Sequence, residues 1–216
     1  MRDLQISRWA PVGGIIFVIL AIIGLILLTD TPDPDASDTD IARYLGDSGA
    51  HVRNIIGLYL WATAGGAFLW FLAHLRGIFR TAEGEPDTLS TLVFAGGLVF
   101  IGLFVAAGAA MATVPGAVEL GNTTNPSPDF VRMFPQLGFG MLLVGGSFAA
   151  IVMLIASSLL VMKTAVLPAW TAWLGLIAAV LLVFAALFFP MAALLIWVLA
   201  VAIVLLMQHS RAGTSA

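Results

Sequence analysis

The charged residues that could support chemistry lie outside the apolar segments of this chain, and the densest group of them is acidic. Asp33, Asp35, Asp38 and Asp40 follow one another closely, and clustered carboxylate oxygens are the ligands that Ca²⁺ prefers. The calcium-loop signature requires glycine at its sixth position and glutamate at its twelfth, but counting from Asp33 these positions hold Asp38 and Tyr44. We therefore interpret the run as a solvated linker with helix-capping acids, and we predict no metal site.

Two histidines flank the second apolar segment, with His51 at its beginning and His74 near its end. Bis-histidyl haem ligation needs two histidines at one depth on facing helices, which two ends of one segment cannot provide. We interpret both as interfacial histidines without a ligand role, and we predict no cofactor. The chain has no cysteine, which excludes disulfides, thiolate nucleophiles and thiolate metal sites.

Nothing in the apolar segments predicts catalysis or proton transport. Ser147 follows two glycines in the fourth segment, but a serine nucleophile needs a base within hydrogen-bond reach, and no histidine is expected at that depth. The segments also lack Asp, Glu, Lys and Arg away from their ends, whereas proton-coupled transporters usually carry such groups inside the membrane. The sequence thus favours a protein that is not an enzyme.

The remaining candidate site is an outer vestibule made of polar residues at or near the ends of segments that face one side of the membrane. Its members are Arg53, Asn54, Glu119, Arg132 and Gln136. Two arginines could hold a lipid headgroup, a carboxylate ligand or a partner loop through paired hydrogen bonds. The alternative is that Arg53 pairs with Asp47 or Asp129 and only orders the loops.

Composition defines the elements that must position these residues. Apolar residues make up 61% of the 216 residues and charged residues only 10%, with a mean hydropathy of +1.06, whereas an ordinary soluble domain has about 25% charged residues. This composition predicts an all-α polytopic membrane protein with a single membrane domain. Six spans are expected, at about 13–29, 54–75, 89–113, 136–161, 168–187 and 190–207.

The last two spans and the orientation follow from local signals. The C-terminal apolar stretch is too long for one crossing, and Pro190 is its strongest helix breaker, which predicts a tight hairpin at Leu187 to Pro190.

With six spans, six of the nine basic residues share the side of the termini. The positive-inside rule then places both termini in the cytoplasm, and the Arg, Ala and Gly bias is typical of a bacterium, hence of its plasma membrane.

Short helices are expected in both large outer loops. The first begins with a capping pair, Ser37 and Asp40, and ends before Gly46. The second begins at Pro128, after Ser127, and Pro135 is expected to bend the chain where it enters the fourth span.

Pairs of small residues four positions apart predict where the second, third and fourth spans touch, although one such face could instead serve a homodimer. These pairs are Ala62 with Gly66, Gly102 with Ala106 and Ala110, Gly145 with Ala149, and Gly146 with Ala150.

Three stretches carry a resemblance to a known group of proteins: Asp38 to Tyr44, His74-Leu75-Arg76, and Val166-Leu167-Pro168-Ala169-Trp170 with Trp173-Leu174-Gly175. With them the chain resembles the uncharacterised six-span integral membrane proteins of actinobacteria that are grouped in domain-of-unknown-function families. The resemblance implies the six-helix fold and no established activity.

Together these features predict a membrane protein without enzymatic activity that binds a lipid or a protein partner through the outer vestibule. The partner could be a second copy of the chain or another membrane protein, and no nucleic acid is expected. The alternative is a small permease for an uncharged or lipophilic solute, which would need a continuous wet cavity through the bundle.

Overall fold

The computed structural model describes residues 2–187 and 189–213, and in these residues every regular element is helical. Phe188, which belongs to the predicted hairpin, lies outside the described residues. The nine α-helices of the described part are α1 (Arg2–Leu28), α2 (Asp38–Leu45), α3 (Ser48–Glu83), α4 (Thr88–Met111), α5 (Thr113–Glu119), α6 (Pro128–Gly140), α7 (Ser147–Thr164), α8 (Ala169–Leu182) and α9 (Ala192–Gly213).

Four helical elements of the described chain are long and apolar enough to cross a membrane. They are Trp9–Leu28, Ser48–Glu83, Thr88–Met111 and Pro128–Thr164, and two shorter apolar helices follow at Ala169–Leu182 and Ala192–Gln208. The predicted all-α polytopic membrane fold is thereby confirmed. The bundle packs α1 against α3 and α9, and α4 against α3 and α7.

The second predicted loop helix is not a separate element. The helix that begins at Pro128 continues through Pro135 and then, by way of a π-helical turn at Met141–Gly146, into α7. One proline removes one backbone donor and fixes an already helical φ, so flanking turns and packing keep the helix continuous. The second short loop helix is instead α5, which begins directly after α4 ends at Met111.

The fifth apolar helix is shorter than the sequence predicts, since α8 ends at Leu182 and the predicted span ends at 187. At 1.5 Å per residue the 14 residues of α8 extend about 21 Å, which is less than the roughly 30 Å of a hydrocarbon core. The chain reverses through 3₁₀ turns at Ala185–Leu187 and Phe189–Met191, which overlap the predicted hairpin.

Small residues do bring helix backbones together, but mostly at positions other than the predicted ones. A Cβ at Gly13 would lie 2.7 Å from the carbonyl oxygen of Ala67, and one at Gly57 would lie 3.1 Å from that of Gly24. These contacts join α1 to α3.

The predicted contacts of the second and third spans within the bundle were wrong at four of their five residues, and the fifth, Ala110, is buried. Ala62, Gly66, Gly102 and Ala106 are exposed on the outside of the bundle, and a Cβ at Gly66 or Gly102 would meet no neighbouring atom. The fourth-span pairs lie at contacts, since Ala150 is buried.

Candidate functional site

Polar residues converge at the end of the bundle where α1 ends and α3 begins. We call residues 29–47 and 112–127, which cover this end, the cap. A small apolar cluster of Ile41, Tyr44, Ala50, Val114 and Val131 holds α2 and α5 against the first turns of α3 and α6. The cap therefore has its own core and presents its polar groups in fixed positions.

The predicted capping pair begins α2 and is confirmed. The Ser37 hydroxyl accepts a hydrogen bond from the Asp40 backbone N–H at 3.2 Å and donates to the Asp40 carboxylate at 2.7 Å. The hydrogen bond from Ser37, followed by the charge of Arg43, holds the pKa of Asp40 below its ordinary value. The carboxylate is therefore ionised whenever the cap is folded near neutral pH.

Asn54 is the most deeply buried of the predicted site residues. Its side chain is fully buried, its amide donates to the carbonyl oxygens of Leu27 at 2.7 Å and Asp30 at 3.3 Å, and its oxygen accepts from the Tyr44 hydroxyl at 2.7 Å. Burial, with the charges of Asp30 and Asp47, raises the pKa of Tyr44, so its hydroxyl remains a donor. Asn54 thus donates hydrogen bonds to carbonyl oxygens at and just after the end of α1, and it joins α2 to α3 through the Tyr44 hydroxyl.

The two arginines of the predicted vestibule bind different acids. Nε of Arg53 donates to Oδ2 of Asp30 at 2.7 Å, and both side chains are 49% exposed. The expected pairing of Arg53 with Asp47 or Asp129 was therefore wrong about the partner.

Arg132 is more deeply buried than Arg53, since only 25% of its side chain is exposed. It donates to Asp38 at 2.6 Å and to the Ala36 carbonyl oxygen at 2.9 Å, and its second Nη lies 3.4 Å from Asp129. Arg132 therefore joins the loop before α2 to α6, and its role in the cap is structural.

Glu119 contacts a residue that sequence reasoning had dismissed. Its Oε1 lies 2.8 Å from Nδ1 of His51, a fully buried side chain whose ring meets the Tyr44 ring edge-on at 4.9 Å. Within the described part of the chain, Nε2 of His51 has no hydrogen-bond partner. The sequence feature that could have indicated a role for His51 in the cap is its spacing from Asn54, because residues three positions apart lie on one helix face. Gln136, by contrast, is exposed on α6.

The acids of the first loop surround an open depression of about 640 Å³ on the cap, which we call the acidic depression. Five aspartates and two arginines line it: Asp30, Asp33, Asp35, Asp40, Asp47, Arg43 and Arg53. Arg43 pairs with Asp40 at 2.9 Å, and Arg53 with Asp30. In the described residues, no cluster of three or more His, Cys, Asp or Glu side chains is arranged to hold a metal ion.

Below the cap lies an apolar cavity of about 200 Å³, which the sequence did not predict. It lies between α1, α3, α4, the π-helical turn and the start of α9. Its lining consists of Phe17, Ala21, Ile22, Leu25, Ile26, Trp61, Phe100, Phe104, Leu142, Met191, Ala192, Leu194 and Leu195. Ile22 and Ile26 are exposed on the outside of α1, so the cavity opens sideways.

Aromatic rings close the inner end of the cavity. Trp61 stacks on Phe104 at 3.9 Å between ring centroids, and Phe17 and Phe100 pack edge-on against each other at 6.4 Å. The indole N–H of Trp61 donates to the Phe104 carbonyl oxygen, so this polar group is satisfied within the protein. The aromatic wall of the cavity therefore offers a ligand only dispersion contacts, because its one polar group, the indole N–H of Trp61, is already hydrogen-bonded within the protein.

Comparison of the chain with protein-family models, with curated proteins and with solved structures gave no match.

Proposed function

We propose that this is an integral membrane protein that binds a membrane lipid, one chain of which occupies the apolar cavity, and that it acts without catalysing a reaction. The supporting observation is the cavity itself, with its apolar lining and its opening beside Ile22 and Ile26. Apolar cavities of about 150 Å³ in other proteins stay dry and take up small apolar molecules. A cavity that opens into a bilayer meets hydrocarbon chains rather than water.

The size of the cavity favours a lipid chain over a helix of a partner protein. An α-helix with its side chains is about 10 to 12 Å across. A cavity of about 200 Å³ is too small for even a few turns of such a helix, whereas a segment of a single hydrocarbon chain fits and the rest of the chain can extend through the side opening. A protein partner, whether another membrane protein or a second copy of the chain, would have to use a different surface.

The alternative function, a small permease for an uncharged or lipophilic solute, needs a path along the bundle. The inner end of the cavity meets Phe17, Phe100 and Phe104, which are nearly or fully buried and in mutual contact. A solute would have to displace several packed rings at once. Binding from the side requires no such movement, which is why lipid binding is the preferred proposal.

The proposal places the cap outside the bacterial plasma membrane and both termini in the cytoplasm, because basic residues are concentrated on the side of the termini. The chain has no cysteine, so single cysteines can be labelled cleanly. We expect Asp35→Cys and Asn122→Cys to react with an impermeant maleimide in intact cells, and Glu85→Cys to react only after permeabilisation. Labelling of Glu85→Cys in intact cells would invert the orientation.

Filling the cavity tests the function. Ala21 is buried and lines the cavity, so the larger side chain of Ala21→Phe should occupy the space of the lipid chain. The measurement is the melting temperature of the detergent-purified protein with and without dioleoylglycerol. A ligand that binds only the folded state at a hundredfold excess over its Kd should raise the melting temperature of the wild type by about 5 to 10 °C.

The matched control is Ala106→Phe, which makes the same change at an exposed position of α4 outside the cavity. We expect Ala106→Phe to keep the lipid-dependent rise and Ala21→Phe to lose most of it. An equal rise in both variants would refute the cavity as the binding site.

A further inference from the structure

We propose that the Asp30–Arg53 ion pair binds the headgroup of the lipid whose chain occupies the cavity, and that it selects a zwitterionic phospholipid over an anionic one. This inference rests on the proposed function and adds to it the class of lipid. Three observations support it: the position of the Asp30–Arg53 pair near the cavity opening, the Nη donors that Arg53 leaves available, and the net negative charge of the acidic depression.

Asp30 lies just beyond the end of α1. Ile22 and Ile26 lie one turn apart on the same face of α1, and Asp30 follows Leu28, the last residue of this helix, by two residues. The Thr29 backbone N–H still bonds to the Leu25 carbonyl oxygen at 2.9 Å, so the helical path extends to the residue before Asp30. Asp30 therefore lies about 6 Å further along the axis than Ile26, which lines the opening of the cavity.

Arg53 keeps most of its donors available, unlike Arg132. In the part of the chain that the structure describes, Arg53 makes its hydrogen bond to Asp30 through Nε only, which leaves both Nη groups on a half-exposed side chain. A guanidinium has five N–H donors, and a phosphate accepts two of them in parallel. Both Nη groups of Arg132 already face Asp38, Ala36 and Asp129.

The surrounding charge decides between headgroups. Five aspartates and two arginines line the acidic depression, so its wall carries a net negative charge. An anionic headgroup would gain the contact with Arg53 but would be repelled by these carboxylates. A zwitterionic headgroup brings a phosphate for Arg53 and an ammonium group for Asp30 and its neighbours. Phosphatidylethanolamine carries both groups in one small headgroup.

The experiment compares three lipids with identical dioleoyl chains: phosphatidylethanolamine, phosphatidylglycerol and diacylglycerol. Affinity is measured by native mass spectrometry and by thermal shift of the full chain in detergent. We expect the wild type to bind phosphatidylethanolamine about tenfold more tightly than phosphatidylglycerol, as one or two charge-assisted hydrogen bonds would give. Water-soluble glycerophosphoethanolamine should give no shift, because it lacks the chain that the cavity holds.

Arg53→Gln removes the phosphate contact. An exposed ion pair contributes little to stability, so this variant should fold, and Asp30→Asn serves as a second variant that removes only the carboxylate. Arg53→Gln should lower the affinity for both phospholipids toward that for diacylglycerol, and Asp30→Asn should reduce the preference for phosphatidylethanolamine over phosphatidylglycerol. The affinity of both variants for diacylglycerol should stay unchanged. Arg132→Gln is the matched control and should keep the preference, because its donors face the cap.

The outcomes separate the two proposals. Equal binding of all three lipids by the wild type, abolished by Ala21→Phe, would overturn the headgroup inference and leave the cavity standing. A preference for phosphatidylglycerol would overturn it as well. A shift produced by glycerophosphoethanolamine alone would mean that the cap binds a soluble phosphate compound, which contradicts the inference. If Ala21→Phe binds every lipid as the wild type does, the proposed function itself fails.

Discussion

Gly96→Ala is expected to lower the melting temperature in detergent by about 3 to 10 °C, whereas Gly102→Ala is expected to leave it unchanged or raise it slightly. A Cβ at Gly96 would lie 2.9 Å from the Ala149 carbonyl oxygen and 2.9 Å from the Met153 backbone nitrogen, so α4 and α7 would have to separate. Overpacking of this kind costs about 1 to 3 kcal/mol.

Gly102 is the matched control because the two glycines lie on the same helix, and a Cβ at Gly102 meets no atom within 4 Å. Both substitutions gain the same helix propensity, so the difference between them isolates the contact with α7. Intrinsic tryptophan fluorescence during heating measures it. Equal melting temperatures for the two variants would mean that α4 and α7 do not touch at Gly96.

Asn54→Leu is expected to be the most destabilising single substitution among the residues that contact the cap. It keeps the number and branching of the side-chain heavy atoms but leaves the carbonyl oxygens of Leu27 and Asp30 and the hydroxyl of Tyr44 without their partner. A buried polar group that loses its partner costs about 1 to 3 kcal/mol, so the free energy of unfolding should fall by about 3 kcal/mol or more.

Tyr44→Phe provides the comparison, because it removes only the donor to Asn54. Alone it should cost about 1 kcal/mol, and combined with Asn54→Leu it should cost less than the sum of the two. Strictly additive effects in this double-mutant cycle would show that Tyr44 and Asn54 do not interact.

Local signals in the sequence were enough to predict the apolar helices and α2, but not α5. The charged and proline-rich boundaries of the apolar segments are read directly from neighbouring residues, and Ser37 with Asp40 sets the start of α2 without help from the rest of the fold. The rotation of each helix about its axis was not predictable in this way. A helix that is apolar on every side gives no periodic signal for its buried face, which is why Ala62 and Gly102 were assigned to contacts that they do not make.

The residues of the candidate site could be predicted from the sequence, but their contacts could not. Residue type and position identified Arg53, Asn54, Glu119 and Arg132, because polar side chains near span ends are rare in such a chain. Their partners come from loops distant in sequence, with Arg132 reaching Asp38 and Glu119 reaching His51, and these pairings depend on the tertiary fold. The cavity is lined by residues of α1, α3, α4, the π-helical turn and the start of α9, so it too depends on the tertiary fold.

The length of α3 has a mechanical consequence. Its 36 residues extend about 54 Å, which exceeds a hydrocarbon core of about 30 Å, and no proline interrupts them. One end carries Arg53 and Asn54, and the other ends at Glu83, whose carboxylate accepts hydrogen bonds from the Leu89 and Ser90 backbone N–H groups. A tilt of this rod about its middle moves its two ends in opposite directions. A rigid-body tilt of α3 would therefore displace the cap and the turn that leads into α4 in opposite directions.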